Sequence, residues 1–250
     1  MNPAHRQTPH RVRFDWGPTG AEAIAAGADV AVVVDVLSFT TTLSVAVERG
    51  ITVLPFRWKD ERAAAYAAER DATLAVGRLE ARQLSGSAVS LSPADLASVT
   101  GVERLVLPSP NGSSISFGLA SGGATVVGAC LRNRSAVARH LRDAGSIAVV
   151  AAGERWPDGS LRPCVEDLWG AGAVLAALAG LGVEDFSPEA RVAADAYGAV
   201  RDGLPAALAA CAGGLELAGI GFAADVEVAA AVDVSDVVPV LDHDGAFTPG

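Results

Sequence analysis

The stretch Val32-Val33-Val34-Asp35-Val36-Leu37-Ser38-Phe39-Thr40-Thr41-Thr42 reads as a buried strand that stops at a carboxylate and turns at once into a helix. Asp29 to Val34 is a short β-branched run bounded by polar residues, the pattern of a strand covered on both faces. A helix follows from about Ser38 to Glu48 and closes at Gly50. The alternation continues on both sides. Strands are expected at Arg11–Trp16, Ile51–Pro55, Thr73–Val76, Arg104–Leu107, Ala124–Gly128 and Ser146–Ala151. Helices are expected at Ala21–Ala26, Asp60–Glu69, after Ser114, at Arg134–Ala144, at Val165–Leu181 and over most of Ser187–Ala231. Strands alternating with helices predict a three-layer αβα sandwich with a mainly parallel or mixed sheet. Residues 11–250 form one expected domain. Residues 1–10, polar and Pro-containing, are expected as a disordered tail, and Val237–Leu241 as a terminal apolar segment.

The totals narrow the function. Half of the 250 residues are hydrophobic but only 5% are aromatic, so Ala, Val and Leu must build the core. A net charge of −10 disfavours nucleic acid and anionic membranes as partners. Gly, Asp and Arg interrupt every apolar run short of membrane-spanning length, and the start has no signal-peptide pattern. Cys130, Cys164 and Cys211 are odd in number and far apart, which suits a reducing, cytoplasmic setting. The Ala-rich C-terminal helices are the candidate surface for a homo-oligomer.

Three segments place unusual residues at strand ends, where open α/β sheets bind ligands. Asp35 is one: a carboxylate ending a buried strand suits a hard cation, and the Ser38, Thr40 and Thr41 donors at the helix start suit an anion. The same residues also suit a plain capped helix. The second segment is Pro108-Ser109-Pro110-Asn111-Gly112-Ser113-Ser114, where Gly112 permits close approach and Asn111 and Ser113 offer donors. The third is Gly153-Glu154-Arg155 with Glu166-Asp167 opening the next helix. Glu154, Glu166 and Asp167 are candidates to join Asp35 around Mg²⁺. None of the four His falls at a strand end, so neither a Ser-His nor a Cys-His pair is in view. There is no phosphate-binding G-x-x-x-x-G-K-[ST] loop.

Taken in order, the Asp35 segment, Ser92-Pro93, Asn111-Gly112-Ser113, Leu131-Arg132-Asn133-Arg134-Ser135, Glu166-Asp167 with Gly170-Ala171-Gly172, and the tail from Gly214 through Asp225-Val226 to Asp233 and Val238-Pro239-Val240-Leu241 form a series. The series resembles the 2-phosphosulfolactate phosphatase family over nearly the whole chain. The resemblance implies an α/β sandwich and a magnesium-dependent acid phosphatase that releases phosphate from 2-phospho-3-sulfolactate, a step towards coenzyme M. Asp35, Glu154, Glu166 and Asp167 are then the expected metal ligands. The Ser38/Thr40/Thr41 and Asn111–Ser113 turns would hold the phosphoryl oxygens, and Arg132 and Arg155 would balance developing charge. Attack by a metal-activated water and by Asp35 itself both remain open. One departure stands out: Ser38 occupies a position where the family usually has Arg. Arg155 or Arg162, on a loop longer and more charged than the family's, is the expected replacement. The rival is a ligand-binding or regulatory protein that keeps the fold without catalysis.

Overall fold

The computed structural model describes residues 2–57, 61–84 and 88–250. Eleven strands are described: β1 (Val12–Trp16), β2 (Val30–Val34), β3 (Thr52–Phe56), β4 (Thr73–Leu74), β5 (Arg104–Pro108), β6 (Thr125–Ala129), β7 (Ile147–Ala151), β8 (Glu154–Arg155), β9 (Leu161–Arg162), β10 (Pro239–Leu241) and β11 (Phe247–Pro249). The helices that matter below are α1 (Gly17–Ala25), α2 (Phe39–Glu48), α3 (Glu61–Glu69), α4 (Arg78–Gln83), α5 (Pro93–Leu96), α6 (Gly112–Ala120), α7 (Arg134–Leu141), α8 (Val165–Gly180), α9 (Pro188–Val200), α10 (Leu204–Ala210), α11 (Ala212–Gly219) and α12 (Ala223–Ala230). The expected start of α3 at Asp60 lies outside the described residues.

Nine strands form one mixed sheet in the order β1-β7-β2-β6-β10-β11-β3-β5-β4, with helices on both faces. It is an α/β sandwich, as the alternation predicts. β1, β7, β2 and β6 are parallel, and so are β3, β5 and β4. The hairpin β10–β11 joins the two sets antiparallel on either side. Three reversals in a row make the second set run opposite to the first. The segment expected merely to end the chain is therefore the seam of the sheet. Asp242 makes the seam possible, because its carboxylate accepts the N–H of Asp244 and of Ala246 and tightens the turn.

Strand alternation sends side chains into two cores. Val32, Val34, Val127, Ala129 and Val149 pack beneath α7, α8, α9, α10 and α12, while Ala31, Val33, Val53, Val126, Leu105 and Leu107 pack with α1, α2 and α6. The second core touches both strand sets. Small residues let helices approach closely: a Cβ on Gly172 of α8 would lie 2.0 Å from the Ala193 carbonyl of α9. This closeness follows from the Ala- and Gly-rich, aromatic-poor composition.

The first ten residues differ from the tail expected of them. Pro3–Arg6 forms a 3₁₀ turn capped by Asn2, and the buried Gln7 amide both donates to and accepts from the Phe14 backbone. Those two bonds tie the segment to β1, and composition alone gave no sign of them.

Candidate active site

β2 ends at Val34, and the chain turns through Asp35–Ser38 into α2. Inside this turn every backbone group needs a partner, since the turn is buried. Thr40 Oγ1 accepts the Asp35 N–H (2.9 Å) and donates to the Asp35 carbonyl (2.8 Å); Thr41 Oγ1 donates to the Val36 carbonyl (2.8 Å). The threonines thus fix the turn and aim the Asp35 carboxylate. One carboxylate oxygen accepts the Phe39 N–H at 3.2 Å, and the other accepts the Gly112 N–H at 2.9 Å. Gly112 opens α6, which follows β5, so the carboxylate is gripped from two distant strand ends.

Two further acids stand around it. Asp167, in the first turn of α8, accepts the Val36 N–H (2.7 Å) and the Gly153 N–H (2.8 Å), clasping the ends of β2 and β7 together. Glu166 is buried beside it, so close to α11 that a Cβ on Gly213 would lie 2.3 Å from its Oε1. Glu154, on the small β8–β9 hairpin, is exposed; it accepts the Asn111 amide at 3.1 Å and stands 3.8 Å from Arg162. Among the described residues, Asp35, Glu166 and Asp167 have no Arg or Lys ion-pair partner. Burial pushes the Asp35 carboxyl up to about 6 against the pull of its two backbone bonds, and Glu154 and Glu166 push the same way. Burial, then Asp35 and Glu166, hold Asp167 well above the ordinary carboxylate range. Among the described residues the three buried carboxylates therefore stand together without a directly paired cation.

Asp35, Glu154 and Glu166 line one cleft of about 250 Å³ with Ser38, Asn111 and two arginines, Arg78 and Arg162. Arg78, at the start of α4, donates to Ser38 Oγ and, through Nε, to Asp225 of α12 at 2.6 Å. Asp225 also accepts the Ser92 hydroxyl and, at 3.3 Å, the Ala94 N–H.

Residues 20–244 match the sequence model of the 2-phosphosulpholactate phosphatase family. Relatives from Deinococcus radiodurans and Thermus thermophilus, each described as a probable 2-phosphosulfolactate phosphatase, are each 33% identical over 218 residues, covering 85% of this chain and 88% of the relative. The chain belongs to the 2-phosphosulpholactate phosphatase family. The family name denotes phosphoric monoester hydrolases, and the three strand-end segments singled out in the sequence are those that meet at the cleft.

Within that family frame, the expected site residues divide. Asp35, Ser38, Asn111, Glu154 and Glu166 face the cleft. Thr40, Thr41 and Ser113 do not: they are buried, with their hydroxyls on backbone carbonyls, Ser113 on Leu107. The Gly112 N–H is committed to Asp35. Asp167 lies behind the cleft wall. Arg132 pairs with Glu48 at the far end of α2 (2.8 Å), away from the cleft. Arg155 is exposed on the hairpin, donates to the Gly159 carbonyl and lines a neighbouring hollow. Of the two arginines expected to replace the family's Arg, only Arg162 lines the cleft. The cation that does meet Ser38 is Arg78, which the sequence reading passed over. Its signal was there: Gly77-Arg78 follows the strand expected at Thr73–Val76, the same strand-end position that singled out Asp35.

Proposed function

We propose that the chain hydrolyses a phosphomonoester of a small 2-hydroxy acid, 2-phosphosulfolactate or a close relative, with Mg²⁺ as cofactor. The observation that carries this reading is Asp35: a buried carboxylate aimed by backbone N–H groups from two strand ends into a cleft that holds further acids and two arginines. The family membership supplies the reaction class. In this reading the phosphoryl group sits against Asp35, whose carboxylate either attacks phosphorus or takes the proton of an attacking water. The ester P–O bond breaks: in the water route Asp35 passes the proton to the departing alkoxide, and in the direct route the alkoxide takes a proton from water while a second water hydrolyses the aspartyl-phosphate to free phosphate and the carboxylate. The Asn111 amide and Arg162 lie on the hairpin side of the cleft, where they meet phosphoryl oxygens as charge develops. Asp167 keeps β2 and β7 in register and touches no substrate.

The donor set suits magnesium rather than a closed protein cage. Among the described residues no three His, Cys, Asp or Glu side chains converge tightly enough to hold an ion by themselves. Mg²⁺ commonly takes one or two carboxylates and completes its shell with water and substrate phosphate. Asp35 and Glu166, buried without a cation, would hold it, with Glu154 at the margin. When bound, the ion neutralises the carboxylates and the phosphoryl oxygens. No described helix is long and apolar enough to cross a membrane, and three free buried cysteines suit the cytoplasm proposed as its location.

The direct test is phosphate release from 2-phosphosulfolactate and its carboxylated analogues, with Mg²⁺ and with EDTA. Release from none of them would remove the reading. A second measurement needs no turnover. Asp35 titrates near 6 folded and near 4 unfolded. Its ionisation therefore costs stability in the metal-free chain, absent below about pH 4 and complete above about pH 6. Mg²⁺ requires the ionised form. Millimolar Mg²⁺ is expected to raise the melting temperature by several degrees at pH 7.5, and by much less at pH 4.5. Identical melting curves with Mg²⁺ and EDTA at pH 7.5 would exclude the metal.

A further inference from the structure

Arg78 is held more firmly than a surface ion pair requires. Its side chain is 16% exposed and its partner Asp225 is 1% exposed. The guanidinium is held by two hydrogen bonds, Nε on Asp225 and Nη2 on Ser38 Oγ, and its Cζ lies 5.8 Å from the centre of the Phe222 ring. Asp225 is itself tied down by Ser92 Oγ and the Ala94 N–H at the start of α5. Among the described residues Nη1 has no hydrogen-bond partner, and Arg78 lines the cleft. A planar fork whose other donors are locked, with one edge open to the cleft, is preorganised to bind an anion.

The anion in question is not the one that reacts. Asn111, Glu154 and Arg162 are linked to one another on the hairpin side of the cleft, whereas Arg78 is bonded to Ser38 and Asp225. Arg78 meets the cleft at Ser38, three residues beyond Asp35. A phosphoryl group seated on Asp35 leaves the Arg78 edge to whatever else the substrate carries.

We propose that Arg78 selects substrates that bear a second, non-reacting anionic group, a sulfonate or a carboxylate, and that Asp225 is the positioning residue that aims it. The proposal rests on the phosphatase reading and adds to it the residue that sets specificity. Ser38 then completes a polar wall with Arg78 rather than standing as a gap in it. A lysine at position 78 would bring charge but no fork, and so only part of the effect.

The test compares kcat/KM for 2-phosphosulfolactate, which carries a carboxylate and a sulfonate beside its phosphate, against isopropyl phosphate, which carries neither. In Arg78→Gln the ratio of the two is expected to fall by about 30- to 100-fold, mostly through KM, with Arg78→Lys in between. Asp225→Asn should move the same ratio in the same direction by a smaller factor. Because Arg78→Gln strands a buried carboxylate, the paired variant Arg78→Gln/Asp225→Asn keeps the fold testable and should show the same loss of ratio. Equal losses on both esters would make Arg78 a phosphoryl ligand, and an unchanged ratio with a lowered melting temperature would make it structural. Either result overturns the proposal. Calorimetric binding of 3-sulfolactate, which has no phosphate, reads the same edge without turnover. Wild type should bind it at least about tenfold more tightly than Arg78→Gln, and equal or absent binding would overturn the assignment. Arg78-dependent binding by a chain that releases no phosphate would instead sink the phosphatase reading alone.

Discussion

Asp35→Asn is expected to lower phosphate release by about a thousandfold or more while moving the metal-free melting temperature at pH 7.5 by only a few degrees. The loss of activity follows from the position: Asp35 is the carboxylate that the turn, the Phe39 N–H and the Gly112 N–H all aim into the cleft. The unchanged stability follows from two opposed effects of similar size. Removing a carboxylate that titrates near 6 rather than near 4 relieves about 3 kcal/mol at pH 7.5. An Asn amide, however, has one acceptor oxygen where the carboxylate has two. One of the two buried N–H groups then faces a donor, at about 1–3 kcal/mol. The same substitution should also abolish the Mg²⁺-dependent rise in melting temperature. Circular dichroism and thermal melts check the fold, and a phosphate-release assay checks the chemistry. Turnover within tenfold of wild type would remove Asp35 from the reaction.

Asp35 could be found from sequence because local patterning marks it: a short β-branched run that stops at an acid at once predicts a strand, its end and a ligand position. The same logic found Glu154 and Glu166. It failed where hydroxyls were concerned. Thr40, Thr41 and Ser113 look like phosphate donors on paper, but each sits in a buried turn whose own carbonyls lack partners, and those carbonyls take the hydroxyls first. For Arg78 the strand-end position was legible but its anchoring was not, because the guanidinium is held by Asp225, 147 residues away. No local pattern joins them. They meet because α12 returns to pack on α5, a consequence of how the C-terminal helices fold over the sheet. The seam hairpin β10–β11 is non-local in the same way: Val240 pairs with Val127 and Phe247 with Val53, and nothing within Pro239–Pro249 names those partners.

Gly112 combines both kinds of information. Sequence marks it as a place for close backbone approach, and the natural expectation is that a phosphate does the approaching. The structure uses the same freedom differently. A Cβ at position 112 would lie 2.3 Å from Phe39 Cδ1 and 2.8 Å from Asp35 Oδ2, so what comes close is the carboxylate and the first residue of α2. Gly112→Ala therefore cannot be accommodated without moving the Asp35 carboxylate or the start of α6. An overpacked contact of this kind costs about 1–3 kcal/mol of stability, so the protein is expected to fold. Catalysis should suffer more, because a displacement near 1 Å of a reacting group is worth about a hundredfold. The expected outcome is a loss of about 100-fold in kcat/KM with a melting temperature lowered by several degrees. In the Asp35→Asn background the same change should cost little further activity, since the group it displaces is already disabled. Near-normal kcat/KM in Gly112→Ala, or a full additional loss in the double variant, would mean that Gly112 acts on catalysis by some route other than Asp35. The carboxylate's grip from β5 would then be structural alone.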